Sequence, residues 1–270
     1  MPLPLYQVDA FADRPFSGNP AAVCLLDRPR SPEWMQAVGA EMNLAATAFL
    51  LREGERYRLR WFTPAVEVAL CGHATLASAH VLWELGEIAA TAPARFVTEK
   101  SGELVCRKAS AAAREDWIEM DFPIRPESPA SPPPGLVEAL GATPVYVGKN
   151  LYDYFVELAS EAEVRALAPD HVLLARLPVR GVIVTAAAEL GSDHDFVSRF
   201  FAPGSGIAED PATGSAHCCL APFWAARLGR DSLIGYQASR RGGVVRVRAM
   251  GERVLLAGRA LTVLRGELDA

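Results

Sequence analysis

Apolar and polar positions along the first third of the chain fall into short alternating runs separated by turn signals. Residues 5–11 alternate as a strand would, Ser17-Gly18-Asn19-Pro20 reads as a turn, and residues 21–26 form a second apolar run. Ser31-Pro32 predicts a helix start, because Ser can cap free amides and Pro fits the first helical position. Trp34, Met35, Val38 and Met42 then follow the helical period. Strands are expected at residues 47–51, 57–62, 95–98, 103–108 and 117–122. The second half repeats the mixture, with a short helix at 136–140, strands at 145–147 and 153–158, and helical pieces within 162–174. A strand at 181–185 follows, residues 196–201 enter a repeated block, and an antiparallel meander over 243–247, 253–257 and 261–264 closes the chain.

Two segments stand apart. Residues 74–85 (ATLASAHVLWEL) have no continuous polar face, and residues 216–228 (AHCCLAPFWAARL) have little of one. A helix that is apolar nearly all round must be buried on most sides. Many strands accompany one such helix in each half. The predicted fold class is therefore α+β: two pseudo-symmetric domains, each a strongly curved mixed or antiparallel sheet wrapped around a central helix. Pro222 argues against an unbroken second helix, since it removes a backbone donor. The uncharged runs 68–83 and 211–226 are too short to span a bilayer and carry Gly, His, Thr and Ser, which favours buried core helices.

The halves also share sequence. Arg60-Trp61-Phe62-Thr63-Pro64, followed by Cys71-Gly72-His73-Ala74-Thr75, is echoed by Arg199-Phe200-Phe201-Ala202-Pro203 and Thr213-Gly214-Ser215-Ala216-His217. Both copies run on to Leu-Gly, at Leu85-Gly86 and Leu228-Gly229. Residues 96–102 are echoed by 236–242, and Gly242 lies 140 positions after Gly102. A period that long implies two related domains rather than a solenoid. We expect halves at 1–122 and 123–270, with the final strand able to pack back on the first. The Pro- and Ser-rich stretch 123–134 reads as the linker. The halves are expected to face each other about a pseudo-twofold axis, with one Gly-containing helix start on each wall of a cleft.

Composition narrows the partners. Half the residues are hydrophobic, 22% are charged, and the formal net charge is −5. That disfavours nucleic acid and anionic membrane as partners. Five cysteines with no C-x-x-C pair suit a reduced, cytoplasmic protein better than a disulfide scaffold. The first residues show no basic, then apolar, signal-peptide pattern. The Ala-rich stretch 109–113 reads as a loop.

Candidate chemistry gathers at the two helix starts. A first helical turn presents unpaired N–H groups and partial positive charge, and Gly lets an anion approach the backbone. Gly72, His73 and Ala74 on one side, and Gly214 and Ser215 on the other, would suit a small carboxylate-bearing metabolite. The same glycines would also serve as tight strand-to-helix turns. His73 should be neutral there, able to accept a proton or orient a substrate, or simply to cap. Asp210 can cap amides, bind an ammonium or shuttle protons. Ser215 can donate to a carboxylate or merely fit a crowded turn. Cys71 has Thr213 as its counterpart, so a mechanism with two matched thiols lacks its second thiol. No metal is expected, since His73 and His80 lack the i, i+4 spacing of a helical zinc site. Gly204-Ser205-Gly206 does not complete a dinucleotide fingerprint, and no G-x-S-x-G elbow accompanies Ser215.

Several segments resemble the PhzF-like family of phenazine biosynthesis. They are Val8-Asp9-Ala10-Phe11, Gly18-Asn19-Pro20-Ala21-Ala22-Val23, Met42-Asn43-Leu44, Leu70-Cys71-Gly72-His73-Ala74-Thr75 and residues 209–217. The resemblance runs from about Tyr6 to Leu268. It implies the fold of diaminopimelate epimerase and proline racemase, and an isomerase that needs no cofactor and is often a homodimer. The phenazine enzyme itself moves a proton on a dihydro-hydroxyanthranilate. The family's acid–base group is a Glu in an N-L-S-E-T segment. Here that segment is Asn43-Leu44-Ala45-Ala46-Thr47, so Ala46 stands at the Glu position. By resemblance His73, Asp210 and Ser215 match other site positions, and Asn19 lies near the substrate. The expectation is an isomerase whose activity is lost or altered by Ala46. The alternative is a pseudoenzyme that binds a metabolite or protein on the same fold.

Overall fold

The computed structural model describes residues 2–109 and 116–269. The stretch read as a loop at 109–113 falls outside them from residue 110 onward. The chain runs β1 (Leu3–Ala10), β2 (Asn19–Leu26), α1 (Pro32–Met42), β3 (Ala46–Glu53), β4 (Arg56–Phe62), β5 (Glu67–Val68), α2 (Gly72–Glu84), β6 (Ala94–Thr98), β7 (Gly102–Lys108) and β8 (Ile118–Pro123). It continues through β9 (Ser128–Pro129), α3 (Leu136–Leu140), β10 (Tyr146–Lys149), β11 (Asp153–Glu157), α4 (Glu161–Ala166), α5 (His171–Leu174), β12 (Gly181–Ala187) and β13 (Phe196–Ala202). It ends with β14 (Ile207–Asp210), α6 (Gly214–Leu228), β15 (Ser232–Gln237), β16 (Gly243–Met250), β17 (Arg253–Gly258) and β18 (Ala260–Leu268). No helix among the described residues is long and apolar enough to cross a membrane.

The chain forms two compact units, residues 1–121 with 257–270, and residues 122–256. In the first, β1 runs antiparallel to β2 and β18, β2 parallel to β3, β3 antiparallel to β4, β4 parallel to β6, and β6 antiparallel to β7. The last strand, read from sequence as part of a closing meander, is thus a partner of β1. One sheet face carries Leu3, Leu5, Ala22, Cys24, Phe49 and Phe62 against Met35 and Val38 of α1. The start of α1 is as its sequence predicts: the Ser31 hydroxyl accepts from Trp34 N–H at 3.2 Å, and Asn43 closes the helix in the left-handed region. Gly39 permits the close approach of helix to strand, since a Cβ there would lie 3.0 Å from Phe62 Cβ.

Strand side chains alternate between faces, so the residues between those of the α1 cluster point to α2. This helix touches β1, β2, β3, β7 and β18. His73 through Ala79 and Val81 through Trp83 are all buried, which accounts for the missing polar face. Phe11 holds a left-handed conformation at φ 58° and lies across Gly258, where a Cβ would come within 2.3 Å of its ring.

The second unit repeats this strand plan. β10 is antiparallel to β11, β11 parallel to β12, β12 antiparallel to β13, β13 parallel to β15, and β15 antiparallel to β16. The face away from α6 packs Val156, Val182, Val184, Val197 and Phe201 against Leu136, Val164 and Leu174 of α3, α4 and α5. On α6, Trp224 stacks on Phe196 and donates its indole N–H to Thr185, whose hydroxyl donates to Val197 O. The helix runs through Pro222 unbroken. Proline cannot donate to the carbonyl four residues back; Cys218 O instead accepts from Arg125 N–H at 2.9 Å. The Pro-rich stretch read as a linker therefore supplies a missing helix bond. It is anchored further where Ile124 N–H donates to Glu252 O, and where β9 pairs with β10.

Candidate functional site

The approach to α2 is set by an ion pair. Arg60 on β4 grips Glu67 on β5 through two bonds of 2.7 and 2.9 Å. The loop that follows is tied by the Ser101 hydroxyl to Ala69 O at 2.8 Å. Cys71 occupies the N-cap position and makes no side-chain cap; the Thr75 hydroxyl donates back to Cys71 O at 2.7 Å. Gly72, His73 and Ala74 are the first three helical residues. Burial pushes the His73 imidazole down to about 4, so it is neutral at neutral pH, and its Nδ1 lies 3.4 Å from Cys71 Sγ. Asn19 opens β2 and Ala46 opens β3; both are fully buried. Ala46 pairs with Ala21, two residues beyond Asn19, so Asn19, Ala21 and Ala46 share a sheet face. Ala46 offers only a methyl group there.

The second start is built on the same frame with different wiring. Arg199 on β13 grips Glu209 on β14 at 2.7 and 3.0 Å. Asp210 is the last residue of β14, and its Oδ2 accepts from the Thr213 hydroxyl at 2.6 Å. The buried Gln237 reaches over from β15: its Oε1 accepts from Thr213 N–H at 2.8 Å, and its Nε2 donates to Asp210 O at 2.6 Å and Thr213 Oγ1 at 3.1 Å. The Ser239 hydroxyl donates to Pro211 O at 2.8 Å. Gly214 is buried and Ser215 exposed at the first two helical positions. His217 Nδ1 donates to Thr213 O at 2.8 Å, the counterpart of the Thr75 bond, and burial pushes this imidazole down to about 4 as well.

Asp210, Gly214 and Ser215 therefore share one turn of the second unit, while Gly72, His73 and Ala74 share one turn of the first. The sequence reading missed Gln237, Ser239, Thr75 and His217. Thr75 and His217 could have been found, because they occupy the same place in the duplicated blocks. Gln237 gives no local signal, since it lies 24 residues from Thr213 in the chain. Among the described residues no group of three or more His, Cys, Asp and Glu is placed to hold a metal.

A family model for phenazine biosynthesis-like proteins (PhzC-PhzF) matches residues 8–266. The chain belongs to this family. A Halalkalibacterium halodurans protein described as an uncharacterized isomerase is 49% identical over 269 residues, covering 99% of each chain. The crystal structure of an Enterococcus faecalis PhzF-family protein superposes with a TM-score of 0.93 at 39% identity, covering 100% of both chains. A probable proline racemase from Agrobacterium radiobacter, at 12% identity and TM-score 0.66, covers 99% of this chain and 93% of its own; it shares the fold. The PhzF family and its epimerase-like fold are thus established together.

Proposed function

We propose that this PhzF-family chain is an isomerase-fold protein for a small carboxylate-bearing metabolite, working by proton transfer without a cofactor. The observation that carries the reading is the twice-built helix start, each opened by glycine. One brings a buried neutral imidazole, His73, and the other a carboxylate, Asp210, held by a hydroxyl. First-turn amides and the positive helix end suit a carboxylate ligand. A neutral imidazole can accept a proton, and an oriented carboxylate can move one. Ala46 removes the group that would carry the proton in the family's segment, so the chain as it stands turns over slowly. His73 and Asp210 supply what residual transfer there is. The protein is expected to act as a cytoplasmic homodimer.

The test is Ala46→Glu, incubated in deuterated water with a dihydro-hydroxyanthranilate and, separately, a panel of small amino and hydroxy acids. General acid–base groups contribute about 10²–10⁴-fold. Deuterium uptake into a substrate C–H should rise by at least that lower figure over the present chain. A rise below about tenfold on every compound removes the role assigned to this position.

Ala46 itself favours a second reading, in which the chain binds such a metabolite without converting it. That reading expects one of the same compounds to raise the melting temperature of the present chain while its C–H bonds stay unexchanged. Steady conversion by the present chain would exclude it.

A further inference from the structure

We propose that Gln237 is the positioning residue of the second helix start, acting on Asp210 through Thr213. The inference rests on the reading above that Asp210 meets the substrate, and it adds how that carboxylate is held. Gln237 is fully buried at the end of β15. The roles of its two amide atoms follow from chemistry. Thr213 N–H can only donate, so the atom 2.8 Å away is the carboxamide oxygen. The main-chain carbonyl of Asp210 can only accept, so the atom 2.6 Å away is the nitrogen.

A consequence follows for the hydroxyl between them. Thr213 Oγ1 lies 3.1 Å from the Gln237 nitrogen, which has no lone pair to offer. The hydroxyl must accept there, and its own proton points to Asp210 Oδ2 at 2.6 Å. Gln237 thereby fixes the direction of the Thr213 hydroxyl. The hydroxyl in turn engages one oxygen of the Asp210 carboxylate. The same amide holds the main chain at both ends of the loop, at Asp210 O and Thr213 N–H, with Pro211 O tied by Ser239. One buried amide therefore holds both the loop's main chain and the hydroxyl that meets the carboxylate.

The first unit shows what is specific here. Equating Arg60 with Arg199 makes Tyr57 equivalent to Phe196. Their register partners are Phe96 and Gly235, so by strand register Thr98 stands where Gln237 does, one residue off the sequence echo of 96–102 in 236–242. The Thr98 hydroxyl donates to Gly102 O and accepts from Ser101 N–H, closing its own hairpin. The carboxamide is an addition of the half that carries the carboxylate.

The experiment follows the Asp210 carboxyl carbon by NMR through a pH titration of the full chain. A hydrogen bond to the charged form favours that form. Thr213→Val should therefore raise the Asp210 midpoint by roughly one pH unit, and Thr213→Ser should restore it. Gln237→Met should raise it by a smaller amount. Because Gln237 orients the hydroxyl, the double variant Gln237→Met/Thr213→Val should shift the midpoint by less than the sum of the two single shifts. If Gln237→Met does not fold, Gln237→Leu, likewise uncharged and without a donor for the hydroxyl, takes its place in the cycle. Additive shifts, or an Asp210 midpoint unmoved by Thr213→Val, would overturn the proposal. The readout needs no substrate. If Ala46→Glu shows no exchange while this cycle holds, the catalytic reading falls and the positioning role stands.

Discussion

The starts of α2 and α6 are two solutions to one structural problem. Each follows a short strand pinned by an Arg–Glu pair, opens with glycine, and returns a side-chain bond from its fourth helical residue to the N-cap carbonyl. These shared devices hold the backbone. The differences are in side-chain wiring. The first start has a thiol at its N-cap and a buried imidazole beside it. The second has a connected set of hydroxyl, carboxamide and carboxylate. Duplication has preserved the geometry of a helix end while the residues that touch it diverged. The frame is thus set by backbone bonds and the chemistry by a handful of side chains.

The largest expected effect tests the buried imidazoles, one at each start. Burial depresses both His73 and His217 to about 4 from an ordinary value of 6.5. The unfolded chain therefore binds protons between pH 6.5 and 4 that the folded chain refuses. Stability is unaffected by these groups above 6.5, falls as pH drops through that window, and levels off below about 4. Each contributes a loss on the order of 3 kcal/mol across it. His217→Thr places the first half's residue type in the second half and keeps a donor for Thr213 O. Urea midpoints at pH 7.5 and 4.5 should then show a shallower fall than in the unaltered chain, whatever the absolute cost of the lost ring. Parallel falls would mean that His217 is not held neutral.

The two arginines break the comparison next. Arg60 serves Glu67 alone at close range, with Glu99 at 3.9 Å. Arg199 serves Glu209 and also donates from Nη1 to Leu167 O at 2.6 Å and Val164 O at 3.3 Å, capping the end of α4. Removing one partner of a buried pair costs about 3–5 kcal/mol, because the other charge is stranded. Both pairs retain some solvent contact, so Arg199→Met should cost about 3 kcal/mol and Arg60→Met roughly half of that. Equal losses in chemical denaturation would show that the two carbonyl bonds of Arg199 add nothing.

How far the sequence foretold this arrangement depends on the range of the interaction. The Ser31 cap, the apolar helices and the Gly-containing helix starts are local patterns, and the structure shows a capped helix, two buried helices and a glycine at the first position of each. The Arg–Glu pairs lay inside the duplicated blocks, yet Glu67 and Glu209 fall in the spacer whose length differs between copies, which hid their equivalence. Pro222 was read as a helix breaker because its repair comes from Arg125, far away in the chain. Gln237 was silent for the same reason. Glutamine carries no burial signal of its own, and its place on the buried face of β15 with Leu233 and Gly235 emerges only once the strand is set in the fold. Ala46 is the opposite case: its meaning came from resemblance, and the fold adds only that it is buried beside β2.

The smallest expected effect concerns the bond the two halves share. The Thr75 hydroxyl donates to Cys71 O at 2.7 Å, and the same carbonyl accepts Thr75 N–H at 3.0 Å. Thr75→Val replaces the hydroxyl with a methyl of similar size. The carbonyl keeps its backbone donor, and valine brings no polar atom to be stranded. The loss should therefore be near the net value of one hydrogen bond, about 1 kcal/mol, rather than the larger penalty of an orphaned group. Thr75→Ser keeps the hydroxyl and loses the methyl instead, at roughly 0.8 kcal/mol for a buried carbon. The two variants should thus destabilise similarly in calorimetry. They should part in amide exchange, where only Thr75→Val speeds the opening of the first turn around Gly72 and His73. If valine leaves that exchange unchanged, the side-chain bond does not hold the helix start. The equivalence between Thr75 and His217 would then be one of position alone.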